Sequence, residues 1–255
     1  MDIAIVMATY KKKDGSTPDF VKKAIASLTQ QTYQNFKLFL IGDQYTDNDE
    51  FESFRSLLPP EQLYMENRPY AVERNRYEPG ELLWNCGGVT SMNYGIDTAK
   101  AHGYQYVAFL DHDDIWFADH LKLLVRTIKL TNAPLIASHG VYLGDRFPNE
   151  VGDNFLYDRL SVDSNTYYTL DPDIKVWPMI PYESSYIKST VCVDVTRIHS
   201  RMRDTWHEIG EKHVCDADWW MQIREEVLAG NLDYGVLIGK ITVDHSVEGA
   251  AKISK

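Results

Sequence analysis

Residues 3–8 read IAIVMA, a nearly continuous apolar run with the length of a β-strand. Apolar residues at helical spacing follow at 17–28, and a second apolar strand at 36–41 leads directly to Asp43. Strands without a polar face are typical of a sheet covered by helices on both sides, and this strand, helix and strand predict parallel pairing through a right-handed crossover. The opening therefore predicts an α/β fold. It also places Asp43 at the carboxyl end of a strand, where parallel sheets bind ligands.

Further helices and strands follow in the rest of the chain. Residues 50–84 are irregular apart from a short strand at 63–65. Beyond residue 132, short strand-like pieces flank a polar, tyrosine-rich stretch at 144–186. The patterns predict strands at 106–110, 136–142, 190–195 and 234–243, and helices at 89–102, 117–130 and 216–228.

Length and composition favour one domain that folds alone. The 255 residues are 44% hydrophobic and 25% charged, which is close to an ordinary globular protein. The formal net charge of -11 opposes binding to nucleic acid, which is itself a polyanion. A small anionic ligand is compatible with this charge, because a bound divalent cation reverses the local field around carboxylates.

The cysteines and the first residues favour a cytoplasmic protein. Cys86, Cys192 and Cys215 are an odd number without a short pairing motif, which is typical of a reducing compartment. The first residues lack the basic region and apolar run of a signal peptide. No stretch approaches the ~18 consecutive apolar residues of a membrane span. We therefore expect a cytoplasmic location without integral membrane association.

The pattern Asp-any-Asp occurs four times, beginning at residues 47, 111, 171 and 216, and is uninformative alone. Only the run DHDD at 111–114 directly follows a buried-type strand and precedes a helix. A hard divalent cation prefers oxygen ligands and holds a substrate diphosphate with one or two carboxylates. The run therefore predicts a cation site, with His112 pointing away from the cation. The alternative is that Asp113 or Asp114 only caps the following helix.

Five ordered segments between residue 3 and about residue 125 carry a resemblance to a known family. They are Ala8-Thr9-Tyr10 after the first strand, the run AIASLTQQTYQNF at 24–36, the loop GDQYTDN at 42–48, NCGG at 85–88 followed by Ser91 and Asn93, and the acidic run at 111–114. In this order they resemble the motifs of the family 2 glycosyltransferases.

The resemblance implies an α/β GT-A fold, with a Rossmann-like nucleotide-binding half joined to an acceptor-binding half. The central sheet is expected to be mostly parallel and flanked by helices. We expect a single domain over 1–255, with the nucleotide-sugar-binding half at 1–115 and the acceptor-binding half at 116–255. Asp113 would coordinate Mn²⁺ or Mg²⁺, and Asp43 would hold the base or ribose of the donor. The implied donor-binding residues are Ala8, Thr9, Tyr10, Asp43, Asn85, Gly88, Asn93, Asp111 and His112.

In the second half the resemblance assigns a catalytic base and a further metal ligand. The run CDADWW at 215–220 is similar to the family's Glu-Asp motif, which aligns Asp216 with the base and leaves Asp218 as its rival. His245 follows the last strand, where the family has a His or Arg that reaches the metal or the diphosphate. Imidazole suits Mn²⁺ better than Mg²⁺. The alternative is that Asp216 caps the helix while the two tryptophans of the run fill core.

Three positions depart from the family pattern. Cys215 stands where the family has Glu, and Met92 stands where Arg is common. Tyr45 replaces a small residue, so that its ring would stack in the base pocket or partly block it. Residues 247–255 are expected to fold over the donor. Aromatic residues that suit sugar faces, or equally fill core or an interface, cluster in the second half: Tyr167, Tyr168, Trp177, Tyr182 and Tyr186.

The sequence therefore predicts a metal-dependent inverting glycosyltransferase that moves a sugar from a nucleotide diphosphate sugar to a hydroxyl of a glycan or other acceptor. A UDP-sugar is the first choice of donor because uridine is common in the family. Asp216 would remove the proton of the acceptor hydroxyl. One alternative is a nucleotide-sugar hydrolase or nucleotidyltransferase on a similar sheet. Another is a sugar-nucleotide or glycan-binding protein without turnover, which Cys215 and Met92 favour.

Overall fold

The strands of the chain form one mixed sheet in the computed structural model, which describes residues 1–142, 144–147, 167–181 and 187–245. Eleven strands belong to this sheet within those ranges. They are β1 (Ile3–Thr9), β2 (Phe36–Gly42), β3 (Leu63–Asn67), β4 (Tyr106–Phe109), β5 (Asp114–Trp116), β6 (Leu135–Tyr142), β7 (Asp145–Phe147), β8 (Tyr168–Asp171), β9 (Ile174–Met179), β10 (Val191–Asp194) and β11 (Gly235–His245).

Helices connect these strands and cover the sheet. They are α1 (Thr17–Thr29), α2 (Asn48–Ser53), α3 (Val72–Arg76), α4 (Glu81–Cys86), α5 (Val89–Ala101), α6 (His120–Thr131), α7 (Thr205–Ile209) and α8 (Cys215–Leu228). Short 3-10 turns lie at Phe54–Leu57, Pro60–Gln62 and Lys188–Thr190. Among the described helices, none has both the length and the apolar character needed to cross a membrane.

The sheet has a parallel part and a mixed part. Its main order is β3-β2-β1-β4-β10-β6-β11-β9-β8, and the first four strands are all parallel. Strand β10 is antiparallel to both of its neighbours, whereas β6 and β11 are parallel to each other. The predicted α/β fold class, with helices flanking a central sheet, is confirmed. The parallel part corresponds to the strands that the apolar runs predicted.

Strand β1 is buried on both faces, which explains why its sequence shows no alternation. Side chains of successive strand residues point to opposite faces of a sheet. Ile3, Ile5 and Met7 pack in the core that includes the apolar side of α1, whereas Ala4 and Val6 pack in the core that includes α5. Both faces are therefore apolar, as in a sheet with helices on each side.

Several elements differ from the prediction. The irregular stretch at 50–84 contains the short helices α2, α3 and α4, and strands β8 and β9 lie within the polar, tyrosine-rich stretch at 144–186. Helix α6 begins at His120 rather than near residue 117, because Asp114–Trp116 forms β5 and pairs with β11. The pairing partner of β5 lies more than a hundred residues away, so local periodicity does not reveal this strand.

Helix α5 approaches the sheet closely at a glycine. A Cβ atom on Gly95 would lie 2.5 Å from Val6 Cγ1 and 3.2 Å from Ile41 Cγ1. Overpacking of such a contact forces side chains and backbone apart. We expect Gly95→Leu to lower the free energy of unfolding in urea by about 1–3 kcal/mol. The control Ala101→Leu, on the exposed side of the same helix, should change it by less than about 0.5 kcal/mol. An equal loss in both variants would contradict this packing.

Candidate active site

A cleft of about 320 Å³ opens beyond the carboxyl ends of three adjacent strands, β2, β1 and β4. Parallel neighbours end at the same edge of the sheet, so the residues after each strand meet there. Among the residues that line the cleft are most of the predicted donor and metal residues, namely Ala8, Thr9, Tyr10, Asp43, Gly88, Asp111, His112 and Asp113. The sequence motifs therefore converge on one cavity.

Asp43 lies at the base of this cleft and is held by three contacts. Its backbone N–H donates to the Thr9 carbonyl at 2.7 Å, which continues the pairing of β1 with β2 beyond Gly42. The carboxylate is only 2% exposed and accepts hydrogen bonds from Arg74 Nε and Ser91 Oγ, each at 2.7 Å. The Arg74 guanidinium also stacks on the Tyr10 ring, 3.3 Å from its centroid. Arg74 therefore neutralises Asp43 and forms part of the cleft wall.

The first two carboxylates of the acidic run are each paired with a lysine. Lys188 Nζ lies 2.8 Å from Asp111 Oδ1, and Lys12 Nζ lies 3.2 Å from Asp113 Oδ2. Burial raises the pKa of Asp113, but the charge of Lys12 and its hydrogen bond to the carboxylate oppose this effect, and the pKa lies below its usual value. Asp113 is therefore ionised at neutral pH and faces the cleft.

The third carboxylate of the run is a partner of the predicted histidine ligand. His245 Nδ1 lies 2.7 Å from Asp114 Oδ1, and its ring stacks on Tyr142 at 5.3 Å. Burial lowers the pKa of His245, but the hydrogen bond to Asp114 and the charge of that carboxylate raise it, and the pKa lies above its usual value. The alternative that Asp113 or Asp114 caps a helix is wrong, because Asp114 belongs to β5 and the residue before α6 is Asp119.

His112 lines the cleft between the acidic run and Tyr10. Its ring is buried, meets the Tyr10 ring edge-on at 5.7 Å, and its Nδ1 lies 3.4 Å from the Ala8 carbonyl. Burial lowers the pKa of His112, which keeps the ring neutral. With Nδ1–H donating to Ala8, Nε2 carries a lone pair, and this buried atom has no hydrogen-bond partner within the described part of the chain. A ligand hydroxyl or a cation would satisfy it.

Asp216 and its rival Asp218 lie in different environments. Asp218 is 7% exposed and accepts two hydrogen bonds from Arg203, both at 2.7 Å, and a third from Gln222 at 2.8 Å. Asp216 accepts a bond from the adjacent Ala217 N–H. The Asp218 oxygens are thus committed to an ion pair inside the protein.

Asp216 stands beside the cleft and is close to Lys188. Its neighbour Cys215 lines the cleft, and so does Lys188. Burial raises the pKa of Asp216, the Lys188 ammonium opposes this rise, and Asp111 adds to it. Conversely, Asp111 and Asp216 raise the pKa of Lys188 against the effect of burial, so its ammonium stays charged. The negative charge of Asp216 is therefore only partly offset by the neighbouring Lys188 ammonium.

The alternative interpretation of the CDADWW run, in which Asp216 caps the helix and the two tryptophans fill core, is correct in part. Trp219 and Trp220 are buried and stack on each other at 5.1 Å, so they do fill core. Helix α8 begins after Val214, however, so Asp216 lies in its first turn and is not its capping residue.

Comparison with known proteins identifies the family. No family model matches the chain. Over 252 residues it is 31% identical to an uncharacterized glycosyltransferase of Acanthamoeba polyphaga mimivirus, in an alignment that covers 97% of this chain and 95% of that protein. The chain belongs to the glycosyltransferases. It is also 24% identical over 130 residues to the UDP-Glc:alpha-D-GlcNAc-diphosphoundecaprenol beta-1,3-glucosyltransferase WfgD of Escherichia coli, which covers 51% of this chain and 42% of that protein.

Solved structures show that this glycosyltransferase shares its fold with others. A crystal structure of S. aureus TarS 1-349 superposes with a TM-score of 0.62 at 14% identity, covering 99% of this chain and 63% of that one. The same protein has been solved with UDP, with a TM-score of 0.60 at 13% identity over 99% of this chain and 63% of that one. The mannosyltransferase PcManGT from Pyrobaculum calidifontis, in complex with GDP-Man and Mn²⁺, has a TM-score of 0.54 at 12% identity and covers 92% of this chain and 56% of that one. These matches agree with the GT-A fold implied by the sequence motifs.

Two predicted donor residues do not line the cleft of this glycosyltransferase. Asn93 donates from Nδ2 to the Met202 carbonyl at 2.7 Å, and it is Met202 that lines the cleft. Asn85 is buried in α4. Gly88, by contrast, lines the cleft and has φ +85°, a left-handed conformation that favours glycine. Met92, at the position where the family often has Arg, gives the cleft an apolar wall.

Tyr45 has a different place from the one expected. It is 3% exposed and packs against the rings of Phe51 and Phe54 at 5.5 and 5.8 Å, and its hydroxyl hydrogen-bonds to Glu50. The prediction that its ring stacks in the base pocket or blocks it is wrong. The loop after β2 turns this side chain into the core that also includes α1.

Three of the aromatic residues that suit sugar faces, Tyr167, Tyr168 and Trp177, do not line the cleft. Tyr167 is exposed under the Lys175 ammonium, and Tyr168 and Trp177 belong to β8 and β9. Tyr182, Tyr186 and the stretch 247–255 lie outside the described residues. Trp84, which the sequence did not single out, lines the cleft and is 55% exposed.

The two carboxylates of the CDADWW run should respond differently to neutralisation. Asp218→Asn removes a buried, charge-assisted pair with Arg203 and should lower the free energy of unfolding by about 1–3 kcal/mol. Asp216→Asn removes a charge that burial disfavours, so stability at pH 7 should be unchanged or higher. Urea unfolding of both variants measures this difference. A larger loss for Asp216→Asn than for Asp218→Asn would contradict the structural role of Asp218.

Proposed function

We propose that this glycosyltransferase transfers a sugar from a nucleoside diphosphate sugar, preferentially a UDP-sugar, to a hydroxyl of a glycan or other acceptor with inversion. The observation that carries the proposal is the convergence of Asp43, Asp111, Asp113 and Lys188 around one cleft, with Asp216 next to the cleft residue Cys215. The complexes of TarS with UDP and UDP-GlcNAc support a uridine donor. Residues 1–115 would bind the donor, and residues 116–255 would supply most acceptor contacts.

The base and ribose of the donor lie at the Asp43 end of the cleft. Tyr10 offers an aromatic face and Asp43 an acceptor for an N–H or a hydroxyl group. Arg74 now covers both, so donor binding shifts its guanidinium or stacks the base on it. At the other end, Asp111 and the Nε2 lone pair of His112 accept hydrogen bonds from sugar or ribose hydroxyls.

A divalent cation, Mn²⁺ or Mg²⁺, fits the acidic end of the cleft. Asp113 is ionised there, and His245 carries a carboxylate partner on Nδ1, an arrangement that orients the other ring nitrogen of a metal-binding histidine. No group of three or more His, Cys, Asp or Glu side chains within the described residues is arranged to hold a metal alone. The diphosphate of the donor would complete the coordination. When bound, the cation neutralises the charge on the leaving nucleotide.

Asp216 removes the proton from the acceptor hydroxyl as its oxygen attacks the anomeric carbon from the face opposite the nucleotide. The bond between that carbon and the diphosphate breaks, and the nucleotide leaves with the bonding electron pair. Burial raises the pKa of Asp216, and the Lys188 ammonium opposes this rise and so favours the ionised carboxylate. The raised pKa of Asp216 makes it a stronger base than an exposed aspartate.

The exposed Trp84 marks the acceptor side of the cleft. Its indole lines the cavity and is more than half exposed. A sugar ring bound at this wall would cover the indole with its apolar C–H face, while its hydroxyls point towards Asp216. For this reason we favour a carbohydrate acceptor over other hydroxyl compounds.

Donor binding and transfer can be tested separately. UDP with Mn²⁺ should raise the melting temperature of the wild-type protein, because a ligand of the folded state stabilises it by mass action. Asp216→Asn should keep this shift but lower transfer from UDP-sugars to a panel of saccharide acceptors by about 10²- to 10⁴-fold. Transfer is measured as acceptor-dependent release of UDP. Near wild-type transfer by Asp216→Asn would exclude its role as the base.

A matched control comes from another Asp-any-Asp pattern. Asp173 is exposed in the turn between β8 and β9, so Asp173→Asn should leave both the thermal shift and the transfer rate unchanged. Absence of any nucleotide-dependent shift in the wild-type protein would contradict the donor assignment.

The pH dependence of transfer should depend on Lys188. Asp216 has to be ionised to act as base, so activity is present above its raised pKa and is lost as pH falls through it. Lys188 lowers that pKa, so Lys188→Met should move the acid limb of the pH–rate profile to higher pH. Lys188→Arg, which keeps the charge, should restore the limb towards wild type. The profile is measured as the transfer rate at saturating donor from about pH 4 to about pH 9, a range that includes the usual pKa values of carboxylates and imidazole. An acid limb that stays in place in Lys188→Met would contradict the coupling.

A further inference from the structure

The carboxylate assigned to the cation is already paired with a cation of the protein itself. Lys12 Nζ lies 3.2 Å from Asp113 Oδ2, and the two side chains are only 17% and 22% exposed. We propose that Lys12 competes with the divalent cation for Asp113, so that the metal binds tightly only together with the nucleoside diphosphate. This inference rests on the proposed function and adds a dependence between the two ligands.

The position of Lys12 is fixed by its backbone. Its N–H donates to Thr17 Oγ1 at 2.8 Å, and that hydroxyl donates to the Tyr10 carbonyl at 2.9 Å. Thr17 is fully buried at the start of α1. The loop between β1 and α1 is therefore anchored, and the Lys12 side chain enters the cleft region from a defined point.

The side chain of Lys12 has a second partner besides Asp113. Its ammonium lies 4.6 Å from the centroid of the Phe20 ring, within the range of a cation–π contact. Rotation about the terminal bonds lets the ammonium leave Asp113 and stay on Phe20. The competing cation is thus displaced from the carboxylate without leaving the site.

A divalent cation without a nucleotide would bind only weakly. It would have to separate an ion pair that is largely shielded from water, and the described residues offer no group of three or more ligating side chains to replace its water shell. A diphosphate changes both conditions, because it brings oxygen ligands for the cation and negative charge for the displaced ammonium. Metal and nucleotide then raise each other's affinity by the same factor, as linkage requires.

The test measures Mn²⁺ binding directly by the loss of the free-ion EPR signal. In the absence of nucleotide, Lys12→Met should bind Mn²⁺ at least about 5-fold more tightly than wild type, the lower end of typical coupling between sites. Addition of UDP should strengthen Mn²⁺ binding strongly in wild type and by a smaller factor in Lys12→Met. Lys13→Met, which removes the adjacent exposed lysine, controls for net charge and should behave like wild type.

The outcomes separate this inference from the proposed function. Equal Mn²⁺ affinity of nucleotide-free wild type and Lys12→Met, with UDP binding intact in both, would overturn the competition while leaving the donor assignment in place. A wild-type protein that binds neither UDP nor Mn²⁺ with UDP would overturn the proposed function itself. Lys12→Gln, which keeps a polar side chain, repeats the measurement should Lys12→Met unfold, and urea unfolding verifies the fold of each variant. Tighter Mn²⁺ binding in Lys13→Met as well would show a general charge effect and contradict a specific role for Lys12.

Discussion

The structure depends on how several carboxylates are kept together at one edge of a sheet. Parallel pairing of β1 with β2 and β4 brings Asp43, Asp111 and Asp113 to the same cleft. Like charges in a partly buried site repel each other and lose hydration. Each of these three carboxylates is therefore matched to a cation from elsewhere in the chain: Arg74 pairs with Asp43, Lys188 with Asp111 and Lys12 with Asp113. The fourth carboxylate, Asp114, has His245 as its hydrogen-bond partner.

This matching divides the carboxylates of the protein into two kinds. The carboxylates of Asp43 and Asp218 accept hydrogen bonds from an arginine and from neighbouring donors, which fix the position of each side chain. Asp216 is different, because Lys188 only partly offsets the effect of its burial. Groups whose environment disfavours the charged state are characteristic of sites that take up protons in a reaction. Under the proposed function, the same physical difference that gives Asp218 a structural role would leave Asp216 available to act as the base.

The parts of the fold that the sequence predicted are those set by local pattern. Strands β1, β2 and β4 are continuous apolar runs buried on both faces, and α1 has a proline in its first turn and a clear apolar side. Strand β5 has three residues and exists only because β11 pairs with it. Tyr45 was misplaced because the loop sequence does not show which way the chain turns after Gly42.

The lysine and arginine partners of these carboxylates could not be predicted from the sequence, for a related reason. The motifs specify carboxylates at strand ends, and strand ends are visible in a sequence. Lys12 meets Asp113 across 101 residues, and Arg74 meets Asp43 across 31 residues from a short helix in an irregular stretch. A lysine or arginine in a loop has no periodicity that marks it, so its role is defined only by the tertiary contact.

Pairing each acidic residue with a movable side chain has a consequence for how the cleft accepts a charged ligand. A preformed, unpaired acidic cluster would repel a nucleoside diphosphate and would be costly to keep in the ligand-free protein. Here the ammonium and guanidinium groups that pair with the carboxylates are the groups that an incoming diphosphate would attract. Under the proposed function, metal and nucleotide together would replace one set of charge pairs by another, so that the charge at the sheet edge would stay balanced before and after binding. That balance would hold only if both ligands arrived, because a cation alone or a diphosphate alone would leave one sign of charge in excess within a cleft that is partly shielded from water.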